Sequence, residues 1–426
     1  MLLYNELKTR NWTAIFGYFF FIGMMATGYY YNVTFIQLGL VDLGTRLVGM
    51  SRGEVAGNMA FLAALTCAVA LGFGTLMKRR GWSQDFLVKL RLAFGVVLVQ
   101  TLLTAAAPAI RSQATYLAWI AAASIALGVG VPATFSLTVD LVPRRSRGYA
   151  AALITSAAYF AAEMFSTQWT IEAFSAQFLA LMLAGTLGLG LLAFAKLPWV
   201  KALAQQHNRP EFKYGRYVHR DKTGRTWVSR KLFGLITLMF GIFFVDSLGF
   251  LRMVETPAFM QSAWQSPELS IRLLIAGAHI AAALIAGILY TALGERRLFF
   301  WIFGIFALVH MMYTLELRFS LSATPSLANP VLYATAVSLY TVVNFALWAD
   351  ISTPETISLN TALGVALSGW TATFISTAVA IHWMGSGMSL EQHLRIVDSL
   401  AMLFFVAMLL LSFFPSRRTG TARSAG

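Results

Sequence analysis

Twelve long apolar runs constrain this chain more than any other feature of it. They cover approximately 13–40, 54–77, 88–110, 115–140, 148–171, 174–198, 232–259, 270–293, 298–316, 329–350, 358–382 and 393–414. Each is near or above the roughly 20 residues a helix needs to cross about 30 Å of hydrocarbon. Transmembrane strands alternate apolar and polar residues over about 10 positions, and runs such as 283–289 and 401–414 show no alternation. The expected fold is an all-α polytopic membrane protein with twelve transmembrane helices. Only 12% of the residues are charged and 58% are hydrophobic, whereas a soluble domain is about 25% charged, so a soluble enzyme is excluded. The lone Cys67 excludes a disulfide framework or a thiolate metal site within this chain. No small-residue cleavage site follows the first run, which therefore reads as a retained helix.

One long polar stretch, 199–231, divides the runs six and six, giving an N-terminal bundle 1–198, a basic linker 199–231 and a C-terminal bundle 232–426. The linker opens on Trp199-Val-Lys-Ala-Leu-Ala, a short amphipathic helix suited to a membrane surface. Further on, two β-prone runs flank Asp221-Lys-Thr-Gly224, which is hairpin-turn chemistry; the alternative is a flexible basic linker. The net charge of +14 would ordinarily raise nucleic acid as a partner. With both termini placed in the cytoplasm, however, 25 of the 32 Lys and Arg fall on that side. Charge here reports topology by the positive-inside rule, and no nucleic-acid partner is expected.

Local motifs then point to a family. The turn after the second run reads Gly74-Thr-Leu-Met-Lys-Arg-Arg-Gly81. It resembles the Gly-x-Leu-x-Asp-Arg-x-Gly signature of the major facilitator superfamily, with Lys78 where that family usually has Asp. The corresponding turn of the second half carries Glu295 at the acidic position. A second echo, Asp140-Leu-Val-Pro143 followed by Arg147-Gly148, resembles the turn between the fourth and fifth helices of these transporters, and Asp350-Ile-Ser-Thr-Pro354 is its counterpart. The two halves repeat one another weakly, as parallel transporter repeats do. The resemblance implies two pseudo-symmetric six-helix bundles with both termini cytoplasmic. It also implies a cytoplasmic latch built from Arg79, Asp140, Arg147, Glu295 and Asp350, against the plainer reading that the basic residues are only topology anchors.

Ionisable residues at membrane depth are costly and point to function. Asp246 lies near the middle of the seventh run and Glu163 in the fifth. On the superfamily's architecture helices one, four, seven and ten line a central cavity, two, five, eight and eleven complete its walls, and the rest are scaffold. Asp246 and Glu163 can then both face the cavity, and burial favours the neutral carboxyl, which suits proton coupling; the alternative is a structural carboxylate held by a fixed partner. Candidate substrate contacts are Tyr31, Asn32 and Gln37 in the first helix, Arg252 in the seventh and His279 in the eighth. The tenth adds Tyr340, Asn344 and Trp348. A local pair with Glu255 is the plainer account of Arg252, and His310 reads as structural.

No dense Arg cluster suggests an organic phosphate, and no carboxylate ladder suggests a polycation. The expectation is a monomeric secondary active transporter in a bacterial cytoplasmic (inner) membrane. It moves a small or amphipathic organic solute by alternating access, coupled to protons and without a cofactor. The rivals are a transport-fold receptor or assembly factor, and a multidrug efflux pump. The fifth helix lacks the Gly-Pro pattern of drug–proton antiporters, which weighs against the latter. No catalytic constellation such as His-Glu-x-x-His supports an enzyme.

Overall fold

The computed structural model describes residues 12–165, 169–205, 209–220, 226–227, 231–254, 256–293, 295–319 and 326–413. Helix α1 begins as Trp12–Tyr31 and continues through a π-helical stretch Asn32–Gly39, a turn Leu40–Asp42 and a second π-helical stretch Leu43–Leu47. The first half continues with α2 (Arg52–Arg79), α3 (Phe86–Ala106), α4 (Gln113–Ser136, with a last turn Thr138–Leu141), α5 (Arg147–Phe165) and α6 (Ile171–Phe194). The second half holds α7 (Lys231–Val254), α8 (Leu269–Leu293), α9 (Glu295–Phe319) and α10 (Ala328–Asp350). Helix α11 joins Ile357–Thr361, a π-helical Ala362–Trp370 and Thr371–Gly385, and α12 is Leu390–Phe413.

Each apolar run lies on one of these helices. The described helices depart from the runs at α1, which runs on to Leu47, and at α7, which is described to Val254. A short helix Pro257–Gln261 follows α7, and the residue before a proline disfavours helical backbone. Ten helices meet the length and composition of a membrane span; α1 and α5 are the other two. Side chains set several of the starts. Ser51 and Glu54 cap α2 reciprocally, Ser112 and Thr115 do the same for α4, and Asp85 and Thr170 cap α3 and α6, supplying acceptors to N–H groups that have no partner in their own helix.

Enclosure separates a central layer from a peripheral one. The most apolar windows of α10 and α11 are each 83% buried, against 28% for α12 and 33% for α6. Leu102, Leu187, Leu191 and Leu403 on α3, α6 and α12 stand more than half exposed, an apolar surface that a bilayer covers. The first six helices meet the last six chiefly through α5 against α8 and α2 against α11. At the first crossing two glycines remove the side chains altogether. A Cβ at Gly287 would lie 2.7 Å from the Gly148 carbonyl oxygen, and one at Gly148 would lie 2.8 Å from the Gly287 carbonyl oxygen. Close backbone approach of this kind is how helices pack where water supplies no driving force.

Described parts of the 199–231 stretch pack against the helices. Its short helix Pro198–Ala204 buries Val200 and Leu203, and Trp199 meets the Phe16 ring edge-on at 4.8 Å. The structure packs this helix on α1, where its apolar face finds a protein partner. The expected hairpin forms as β1 (His219–Arg220) antiparallel to β2 (Thr226–Trp227), with His219 opposite Trp227. Its turn, 221–224, lies outside the described residues. The α5–α8 crossing generates a test. Gly287→Val should cost about 1–3 kcal/mol by overpacking, read as a lower melting temperature in detergent. Gly277→Ala, where an added Cβ meets nothing within 4 Å, should leave melting unchanged.

Candidate functional site

A cavity of about 170 Å³ lies between the two halves, from the middle of the helices toward the side away from the 199–231 stretch. Both long π-helical stretches border it. Asn32, Val33, Thr34, Gln37 and Leu38 come from that of α1, and Val365, Gly369 and Trp370 from that of α11. An extra residue in a helical turn rotates side chains out of register, which is why such stretches recur at functional sites. Helices α4, α5, α7, α8 and α10 supply the rest of the wall, with Trp169 and Trp264 at its outer end. One departure from the expected architecture is α3, which contributes Val96, Val97 and Gln100 although it was assigned to scaffold. The cause is local: Gly130 of α4 has no side chain, and Val96 reaches within 3.0 Å of where its Cβ would be.

Asp246 is buried in the cavity wall and is held by hydroxyls alone among the described residues. Tyr333 donates to Oδ1 and also to the Asp246 carbonyl at 3.2 Å, while Tyr340 donates to Oδ2 at 2.5 Å. A second hydroxyl cluster joins the halves beside it. Tyr29 and Tyr159 lie 3.0 Å apart at their hydroxyls, and Thr341 of α10 is 3.1 Å from Tyr159 and 3.4 Å from Tyr29. Glu163 is 3% exposed, lines the same cavity and leaves Oε2 without a hydrogen-bond partner. His279 places Nδ1 2.8 Å from the Ser338 hydroxyl and stacks on the Tyr159 ring at 4.3 Å.

The remaining sequence candidates divide by position. Asn32 lines the cavity and donates Nδ2 to the Gly28 carbonyl at 2.7 Å, leaving Oδ1 unpartnered. Gln37 bridges to Thr377 of α11 at 3.2 Å, and Asn344 accepts from the Trp348 indole at 2.9 Å. Trp348 itself is fully buried against Gly364, outside the cavity lining. Tyr31 turns to α3, where Thr104 donates to its hydroxyl at 3.0 Å. Arg252 also points away from the cavity and donates to the Met388 carbonyl at 2.9 Å; Glu255 lies outside the described residues. His310 is buried against α7, where Gly249 makes room for its ring.

The helix ends nearest the 209–218 segment carry a second constellation. Arg147, 1% exposed at the start of α5, reaches across to Asp350 at the end of α10, with Nη1 3.0 Å from Oδ1. The same guanidinium donates to the carbonyls of Ala349 at 2.8 Å and Phe212 at 3.3 Å. Asp350 Oδ2 accepts from Tyr290 at 3.1 Å and pairs with Arg216 at 3.3 Å. The linker backbone joins in: Gly215 N–H donates to Ser352 at 3.0 Å and Tyr217 N–H to Asp350 at 2.9 Å. Any Cβ at residue 215 would overlap the Asp350 carbonyl, so only glycine fits there. Tyr217 bonds Glu295, and burial, together with that carboxylate, pushes its phenol pKa upward. Nearby, Ser358 of α11 meets Ser83 and donates to the Gly74 carbonyl at 3.1 Å.

Asp140 enters a different pair from the one the sequence suggested. Its partner is Lys89 of α3, and both are buried; Lys89 had been counted only as a topology charge. Arg147 goes to Asp350, and Arg79 is exposed. Sequence reasoning also missed Tyr333, Tyr290 and Arg216. Tyr333 had a usable signal, since it stands seven residues before Tyr340 and so shares its helix face. Arg216 had none, because nothing local says which helix end a linker will touch.

No family model matches the chain, and no curated protein matches it. Among solved structures, the chain is similar to the proton:xylose symporter XylE of the major facilitator superfamily, solved with 6-bromo-6-deoxy-D-glucose bound. The two share 13% identity at a TM-score of 0.61, over 95% of this chain and 97% of that one. The chain therefore has the twelve-helix fold of the major facilitator superfamily, as the turn motifs implied, and is a multi-pass membrane protein. The buried ion pair gives a test that needs no ligand. Asp350→Ala strands the Arg147 charge and should cost about 3–5 kcal/mol, read as a large fall in melting temperature in detergent. Arg79→Ala should have little effect.

Proposed function

We propose that this chain is a secondary active transporter that moves a small or amphipathic organic solute by alternating access, coupled to protons. One observation carries the reading: a cavity between the two halves has a buried carboxyl group, Asp246, held among the described residues by tyrosine hydroxyls alone. A carboxyl so placed can take and lose a proton without breaking an ion pair. Deprotonation leaves two phenolic donors facing the charge, and protonation releases one of them. The Tyr29–Tyr159–Thr341 cluster links the halves next to it, so the proton's arrival can alter how they bind each other. The structurally similar protein is a proton:xylose symporter, which is consistent with proton coupling on this fold.

The Arg147–Asp350 constellation acts as the cytoplasmic gate in this proposal, together with Glu295, Arg216 and the Phe212–Tyr217 segment. Access from the cytoplasm requires α5 to part from α8 and the end of α10, which breaks the desolvated Arg147–Asp350 pair. Asp140 and Lys89 hold α3 to α4 within the first half and move as one piece. Rocking of the halves about a central site is the general mechanism that such architecture supports.

Two experiments test this. A thermal-shift screen of purified protein against metabolites and drugs should identify a stabilising solute. Asp246→Asn should then abolish its pH-gradient-driven accumulation in proteoliposomes while leaving counterflow exchange largely intact. Unchanged accumulation would remove Asp246 from the mechanism. For the gate, Asp350→Asn should increase labelling of cysteines introduced along the cytoplasmic halves of α2 and α11. An unaltered labelling pattern would reduce the constellation to a topology anchor.

A further inference from the structure

The buried polar atoms of the cavity wall are nearly all paired, and the exceptions share a chemical character. Among the described lining residues, the buried side-chain atoms without a hydrogen-bond partner are Asn32 Oδ1 and Glu163 Oε2. Both are acceptors. The Asn32 amide is oriented by its own donor, since Nδ2 must face the Gly28 carbonyl. Some donors on the wall are engaged, among them Gln37 with Thr377, Tyr340 with Asp246, and His279 Nδ1 with Ser338.

Charge points the same way. Among the described lining residues the ionisable carboxyl groups are Glu163 and Asp246, and none is Lys or Arg. Arg272 of α8 is the cation whose field reaches Glu163, but it stands outside the lining and no ion pair joins the two. Rings supply much of the remaining surface, including Tyr29, Phe135 and Trp370. A wall of free acceptors, negative charge and aromatic faces is complementary to a cation with N–H donors and an apolar body. It is a poor match for a carboxylate or a phosphate, whose charge would meet two carboxyl groups and, among the described lining residues, no Lys or Arg.

We infer that the cavity binds a protonated organic amine, its ammonium N–H groups donating to Glu163 Oε2 and Asn32 Oδ1 while its apolar part packs among the rings. The inference deepens the transporter reading by naming its substrate class and rests on that reading for the cavity's role. Its division of labour is physical. Asp246 already has two hydroxyl donors and keeps the proton, whereas Glu163 has a vacant oxygen and takes the ligand.

Equilibrium binding to the purified full chain in lipid nanodiscs tests this without any gradient. Trp169, Trp264 and Trp370 line the cavity, so their fluorescence reports occupancy. The probes are phenethylamine, phenylacetate and xylose at matched concentrations and neutral pH. Phenethylamine should quench saturably and the other two should not. Glu163→Gln, which keeps the shape and removes the charge, should weaken phenethylamine by about tenfold or more. Asn32→Leu should weaken it about several-fold, and both variants should retain the wild-type melting temperature. The inference is overturned if phenethylamine fails to quench, if phenylacetate or xylose binds as tightly, or if both variants bind phenethylamine like the wild type. Accumulation that survives Asp246→Asn would end the coupling proposal and leave the amine site standing, so the two failures are distinguishable.

Discussion

Hydrocarbon offers no hydrogen bonds, and this structure depends throughout on meeting that condition from within the chain. Backbone groups are satisfied by helices, because only helices and closed barrels can satisfy them inside a bilayer. Side chains obey the same rule less completely, and the manner of obedience sorts the buried polar residues into kinds. Arg147 and Asp350 pair across the two halves, with Tyr290, Arg216 and two backbone carbonyls, those of Ala349 and Phe212, adding further bonds. Lys89 and Asp140 do so within one half. Asp246 is satisfied by phenols. Glu163 and Asn32 are left with an open acceptor each, and they face a cavity.

That sorting links energetics to motion. A buried ion pair contributes little net stability over an apolar replacement, but removing one partner is costly. A gate made of such a pair is therefore firm when closed and has a definite open alternative only if other groups accept the freed charges. Arg216 and the Phe212–Tyr217 segment are placed to do that, since both already touch Asp350 or its neighbours. The described part of the connection between halves is thus bonded to the end of α10. Its charge, which first looked like a simple topology signal, is partly spent on one aspartate.

The small residues matter for the same geometric reason. Gly148 and Gly287 let α5 and α8 touch backbone to backbone, and Gly130 lets α3 reach the cavity. Two π-helical stretches then turn Asn32, Gln37 and Trp370 toward the centre. None of these features changes the apolar count of a run, so hydropathy passes over all of them. What hydropathy did carry, twelve runs and their approximate limits, needs only local composition, because the bilayer imposes length and apolarity on each helix separately.

The sequence by itself determined that the chain is helical and crosses a membrane many times. Its turn motifs also placed Arg147 and Asp350 at opposite helix ends of a repeated pattern, and its two carboxylates at membrane depth marked Asp246 and Glu163. Only the tertiary structure decided which partners these groups take. It sent Arg147 to Asp350 rather than Asp140, gave Asp140 to Lys89, turned Tyr31 and Arg252 away from the cavity, and left Asn32 and Glu163 with free oxygens. Partner choice between helices depends on crossing positions and rotation about each axis, which are set by contacts between residues hundreds of positions apart. A helix's own sequence carries its faces but not which neighbour each face will meet.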